Sequence, residues 1–171
     1  MKRMDRRALF ASGAAAALLA ATGVQAQVLP RAGGRLRAAL SGASRDDGWD
    51  LAPNGLFMMA AQHTVFEALT EVAADGSLRG ALATGWQGAD GGRVWVFDLR
   101  SGVRFHDGTP LRAQDVVASL TDHIDGTVRA EGAGRVVVRL SHAQADLPYV
   151  LSGALIRPAD PDARALGVGT G

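Results

Sequence analysis

The sequence predicts an α/β domain, a mixed sheet with flanking helices, and three observations carry that expectation. Residues 94–99 alternate strictly, with Trp95, Phe97 and Leu99 pointing one way and Val94, Val96 and Asp98 the other. Residues 135–140 form a second strand-like run rich in valine, bounded upstream by Gly132 and Gly134. Two further segments carry helical spacing: Met58, Ala61, Val65, Leu69 and Val72 draw one apolar stripe over 56–72, and 113–120 reads as a second helix. Hydrophobic residues make up 47% of the chain and charged residues 20%, the composition of a packed domain. Aromatics are only 5%, so the core must be built chiefly from Ala, Val and Leu.

The elements follow in order. Residues 27–34 read as an irregular start and 35–40 as a strand that ends at Ser41-Gly42. Asp46, Asp47, Gly48, Asp50, Pro53, Asn54 and Gly55 punctuate a loop over 44–55. After the helix at 56–72 come a turn at Ala74-Asp75-Gly76-Ser77, a connecting piece over 79–86, and another turn at Ala89-Asp90-Gly91-Gly92. Arg100-Ser101-Gly102 is expected to return the strand at 94–99 into a hairpin partner, 103–105. His106-Asp107-Gly108-Thr109-Pro110 is a tight turn, because Asp107 offers a side-chain acceptor and Gly108 a permissive backbone. Pro110 keeps the residue before it extended and delays the helix at 113–120. A short helix at 145–152 and an irregular end complete the reading.

The first 26 residues are read as a leader rather than as fold. Lys2, Arg3, Arg6 and Arg7 precede an apolar run over 8–24 that ends in Val24-Gln25-Ala26, with small residues where a signal peptidase reads. The run is too short and too interrupted, by Ser12, Gly13, Thr22 and Gly23, to be preferred as a span of ~20 apolar residues. Arg6-Arg7 before Ala8-Leu9-Phe10 also fits a twin-arginine signal, although Asp5 stands where that pattern prefers Ser or Thr. Cleavage after Ala26 removes four basic residues and one acid from totals of 18 and 17, leaving 14 basic against 16 acidic and a net charge of −2. That balance, with no clustered basic stretch, argues against nucleic acid as a partner. The chain has no cysteine, so it forms no disulfide and carries no lipid-modified N-terminal cysteine.

Catalytic and metal chemistry find no foothold in the pattern. His63, His106, His123 and His142 lack the clustering of a zinc site. No serine sits in a nucleophile elbow, and no glycine loop has phosphate-cradling spacing. His106 and Asp107 are neighbours, but at a turn such a pair is first a structural feature. The expectation is a protein that is not an enzyme and needs no cofactor and no metal.

The run Trp95-Val96-Phe97-Asp98-Leu99-Arg100-Ser101-Gly102-Val103-Arg104-Phe105-His106-Asp107-Gly108-Thr109-Pro110, with Asp115-Val116-Val117-Ala118-Ser119-Leu120 after it, resembles the hallmark segment of the extracytoplasmic solute-binding proteins of family 5, the peptide- and nickel-binding components of ABC importers. Val65-Phe66-Glu67-Ala68-Leu69, Gly80-Ala81-Leu82-Ala83-Thr84-Gly85-Trp86 and Gly169-Thr170-Gly171 are similar to further family segments, so the likeness extends over about 36–171. Three departures stand out. Arg112 replaces a threonine that would cap the helix, Leu51 replaces a proline, and the stretch from 120 to 135 is short.

The resemblance implies a two-lobed periplasmic-binding-protein type II fold whose lobes close on a ligand by hinge motion. Residues 27–171 correspond to an incomplete N-terminal lobe, which predicts exposed sheet edges and an exposed apolar patch. It implies capture of a small peptide or similar solute in the periplasm and delivery to an ABC permease in the inner membrane. No membrane span is expected after signal cleavage. By the same resemblance Asn54, Gly55, Leu56 and Phe57 form the loop that touches ligand: Gly55 lets a peptide backbone approach, and Phe57 forms a pocket wall. The alternative is that Asn54-Gly55 is only a turn and Phe57 only core. Other functions on the same fold are a ligand-sensing or chaperone-like role, or a fragment with no function of its own; neighbouring permease and ATPase genes would favour import.

Overall fold

The computed structural model describes residues 33–35, 37–49 and 55–171. The leader expected over 1–26 lies outside the described residues, as does Asn54. The chain divides into two units, Met1–Ala38 and Ala39–Gly171. Of the strand expected over 35–40, the described residues 35 and 37–40 are exposed and belong to no ladder. Two consecutive alanines, Ala38 and Ala39, break any alternation there.

The second unit is α/β, with sheets flanked by helices. Its elements are α1 (Leu56–Val65), β1 (Thr70–Val72), β2 (Leu78–Gly80), β3 (Ala83–Ala89), β4 (Val94–Leu99), α2 (Ala113–Leu120), β5 (Gly126–Ala130), β6 (Arg135–Leu140), α3 (Leu147–Val150) and α4 (Pro161–Ala165). β1 and β2 form a two-stranded sheet, while a four-stranded sheet runs in the order β3-β4-β6-β5. The ladders between these strands are antiparallel.

Register explains the core. Phe97 pairs with Val136 and with Trp86, Trp95 with Val138 and Gly88, and Val128 with Val138. Period-two alternation therefore gathers Trp86, Trp95, Phe97, Leu99, Val128, Val136 and Val138 on one face. Helix α2 covers that face with Ala113, Val116 and Leu120, while Leu147, Leu151 and Ile156 close the side. Phe97, Val116, Leu120, Val136 and Val138 are fully buried. Each such side chain contributes about 1.5–3 kcal/mol relative to exposure. Trp95 needs a glycine across from it: a Cβ at Gly88 would lie 3.0 Å from the indole. The indole N–H donates to the carbonyls of Gly92 and Gln144, both at 3.1 Å, which pins the turn between β3 and β4 to the segment before α3.

Three expectations are corrected. The stretch 79–86 is not a plain connection but contains parts of β2 and β3. Strand β4 does not pair with 103–105, because β3 and β6 occupy both its edges. Residues 103–105 instead close on the following turn, with Arg104 bridged to Pro110 and the Leu111 N–H donating to the Val103 carbonyl at 3.0 Å. The helix expected over 56–72 ends at Val65, and Thr70–Val72 is a strand. Phe66 leaves the helix with φ −112° and ψ 140°, and its ring is buried edge-on against Trp49 at a centroid distance of 6.0 Å. Helix propensity is too weak to hold a β-branched run such as Thr70 and Val72 against a waiting strand partner.

Candidate functional site

The predicted ligand loop sits at the start of α1. Gly55 is the N-cap, with an ordinary φ of −66° and ψ of 169°, and no side chain caps the first turn. The left-handed backbone that a turn role would give this glycine is thus absent. What Gly55 provides is room, since a Cβ there would stand 2.2 Å from the Gly42 carbonyl oxygen. Its close approach is to the chain itself.

Helix α1 carries no charge other than His63 could bring, and it is apolar on more than one face. Met58 and Gln62 are buried, and the Gln62 side-chain amide donates to the Gly48 carbonyl at 3.3 Å. Leu56 and Met59 face outward at 63% and 51% exposure, and Phe57 is 37% exposed, so Phe57 is a surface residue rather than core. Half-buried Gly55 and exposed Leu56 and Phe57 therefore lie together on one apolar turn whose leading backbone N–H groups have no side-chain cap among the described residues. Such a turn can take a carboxylate or a peptide carbonyl on its N–H groups and apolar side chains on its surface.

The opposite end of α1 is held by 169–171. The Gly171 N–H donates to the Val65 carbonyl at 2.9 Å. A Cβ on Gly169 would lie 1.9 Å from that same oxygen. His106 secures the segment from the other side. Its backbone N–H donates to the Gly169 carbonyl at 2.9 Å, its Nδ1 accepts the Gly169 N–H at 3.4 Å, and its Nε2 lies 2.7 Å from the Gly171 oxygen. Asp107 accepts the Thr109 hydroxyl at 2.7 Å and the Thr109 N–H at 2.9 Å, and these bonds, the hydroxyl first, hold its carboxyl below the usual carboxylate range. The neighbouring pair is thus occupied with backbone.

A second cluster escaped sequence reasoning. Asp115 is buried, and its two oxygens accept the N–H groups of Arg112 at 2.8 Å and Ala159 at 2.7 Å. The cap expected to be lost with Arg112 is therefore half kept: Asp115 still reaches back, and the Arg112 carbonyl takes the Asp115 N–H at 3.0 Å. An arginine side chain has no acceptor with which to complete the box. An open depression of about 280 Å³ lies above, lined among others by Phe105, Asp107, Arg112, Asp160 and Ala163. Among the described residues no three His, Asp or Glu side chains converge as a metal set, and no helix is long and apolar enough to cross a membrane.

The periplasmic oligopeptide-binding protein OppA of Escherichia coli (strain K12) is 31% identical over 131 residues, which is 73% of this chain and 24% of OppA. The nickel-binding periplasmic protein of the same organism is 31% identical over 105 residues, 60% of this chain and 20% of the relative. The chain thus spans about a quarter or less of the curated relatives it matches. NikA of Brucella suis, solved in complex with Fe(III)-EDTA, superposes with a TM-score of 0.61 and 25% identity over 70% of this chain and 28% of that one. Residues 77–166, more than half of the chain and everything from β2 to α4, match the profile of the bacterial extracellular solute-binding proteins, family 5 (middle region), and the chain belongs to that family.

Proposed function

We propose that this chain is the opening part of a ligand-capturing component of an ABC importer, that its solute is a small peptide, and that Asn54, Gly55, Leu56 and Phe57 contact that solute. One observation supports the site above others: an uncharged apolar turn at Gly55–Phe57, exposed at Leu56 and Phe57, whose backbone N–H groups have no side-chain cap among the described residues. A peptide satisfies both halves of such a surface, giving carbonyl or carboxylate oxygens to the N–H groups and side chains to Leu56 and Phe57. Similarity to OppA favours peptides, whereas similarity to the nickel-binding protein makes a chelated metal the competing solute. The permease in the inner membrane and the cleaved leader over 1–26 belong to the same proposal.

Gly55→Val is a poor probe, because its side chain would meet the Gly42 carbonyl whether or not ligand binds there. Phe57→Ala is the better one, since the ring is exposed and its removal spares the core. In a chain extended to the full length of its relatives, calorimetric titration with a mixed tripeptide set should give binding that Phe57→Ala weakens about tenfold, the ~1.4 kcal/mol of a well-packed side chain. Unchanged affinity removes the turn from the site, and binding of nickel–histidine in place of every peptide removes the peptide assignment.

A further inference from the structure

Strand register places two unpaired arginines side by side on the outer face of the four-stranded sheet, away from the core. Opposite to the buried set, that face presents Thr127 and Arg129 from β5, Arg135, Val137 and Arg139 from β6, and Val94, Val96 and Asp98 from β4. Arg129 pairs directly with Val137, and Thr127 with Arg139. Arg129 and Arg139 are therefore diagonal neighbours on one face, with Cβ atoms about 7–8 Å apart or less, within reach of a common group for side chains this long. Both line an open depression of about 200 Å³ together with Thr127, Glu131 and Val137.

The charges here divide unevenly. Arg135 is already held: its Nε donates to Asp98 at 2.8 Å, and one of its terminal nitrogens lies 3.5 Å from Glu131. That uses both carboxylates of the neighbourhood. Arg129 and Arg139 have no hydrogen bond or ion pair among the described residues, and the Thr127 hydroxyl has none either. Two planar forks and a hydroxyl thus line a shallow depression over Val137, and the one carboxylate on its lining, Glu131, lies 3.5 Å from Arg135. Guanidinium forks match the paired oxygens of a carboxylate or phosphate, and two of them around one site favour an oxyanion over any cation or neutral solute. The calculated charge of −2 for residues 27–171 means this excess is local and not a general basicity of the chain.

We infer that Arg129, Arg139 and Thr127 form a surface oxyanion site, taking a phosphate or carboxylate group on the outer face of the β5–β6 hairpin. The inference is independent of the ligand turn at Gly55–Phe57, which lies on a different element.

The test is a titration of the 15N-labelled chain with sodium phosphate, against sodium chloride at matched ionic strength, read on backbone amides and arginine Nε–H signals. Saturable shifts centred on Thr127, Arg129, Val137 and Arg139, weakened at least tenfold in Arg129→Gln and in Arg139→Gln, are expected. Arg79→Gln, on β2, should leave them unchanged. A parallel titration with sodium succinate separates the two sources: the tighter of the two anions names the group the site takes. Shifts that merely track chloride, or that survive both substitutions while circular dichroism reports an intact fold, overturn the site.

Discussion

The carboxylate of Asp115 accepts the N–H of Ala159 at 2.7 Å, joining the first turn of α2 to a segment 44 residues later. Its other oxygen takes the N–H of Arg112 at 2.8 Å. One turn further along, the Ser119 hydroxyl accepts the Arg157 N–H at 2.9 Å. Two buried side chains on one face of α2 thus fasten residues 157–159 to the helix that covers the sheet. This tether fixes where the chain runs after β6 and α3, and so where 169–171 can meet α1.

Asp115→Ala should therefore be strongly destabilising. It removes two charge-assisted, part-buried bonds from backbone N–H groups, and bonds to charged groups are worth about 1.5–3 kcal/mol each. Urea melts should report a loss of about 3 kcal/mol, and Asp115→Asn a smaller one, since the amide oxygen can still accept one bond. A loss below about 0.5 kcal/mol, the range of ordinary surface changes, would remove the tether from the stability of the fold.

Arg112→Thr should stabilise. Arg112 already has the extended N-cap geometry, φ −123° and ψ 156°, and Asp115 already supplies the reciprocal half of the box. A threonine hydroxyl can accept the Asp115 N–H, completing the pair for a gain of about 1 kcal/mol. The same melts measure it. No gain, with the helix intact by circular dichroism, would mean that the Arg112 carbonyl already satisfies that N–H.

These elements also mark how far the sequence can be read. The bounds of β4, α2 and β6 are legible because each carries its own signal: alternation around Phe97, a Val116–Leu120 stripe and the valines at 136–138. Strands β3 and β5 carry none. Ala83–Ala89 contains two glycines, and Gly126–Ala130 starts on one, so both owe their extended form to pairing with β4 and β6. The break at Phe66 is equally tertiary: the Ala68 and Leu69 carbonyls accept N–H groups from Ala81, Leu82 and Ala83, pulling the chain off the helix into a sheet. For the proposed ligand turn the resemblance pointed to Asn54, Gly55, Leu56 and Phe57, but the sequence could not reveal that Gly55 packs on Gly42. Arg129 and Arg139 were invisible as a pair, because strand register alone brings them together.

Acid should loosen the turn after β4 at a predictable point. Asp107 carries a lowered pKa, from the Thr109 hydroxyl first and the Thr109 N–H second. A carboxylate depressed in the folded state stabilises it above its unfolded value of about 3.9, and that contribution disappears as pH falls through the lower folded value. Carboxyl-carbon NMR should place the Asp107 midpoint below 3.8, and Thr109→Ala should move it upward without restoring it fully, because the backbone N–H remains. A midpoint that Thr109→Ala does not shift would assign the depression to another group, His106 being the neighbour whose charge acts in the same direction.

Two glycines should fail for different reasons, and the difference is measurable. Gly102 turns the chain after β4 with φ +76°, and nothing lies within 4 Å of a Cβ placed there. Gly102→Ala should cost about 1 kcal/mol through left-handed backbone strain alone, and Gly102→Asn should recover much of it, since asparagine tolerates that region. Gly169 has the opposite problem. A Cβ would stand 1.9 Å from the Val65 carbonyl, so backbone must move, and the bonds from His106 and Gly171 that hold the segment move with it. Gly169→Ala should cost about 3 kcal/mol, the upper end for overpacking, and Gly169→Asn should be worse rather than better. If asparagine rescued position 169, the limit there would be backbone conformation and not contact with α1. The close seat of 169–171 on Val65 would then not be what orients the helix bearing the Gly55–Phe57 turn.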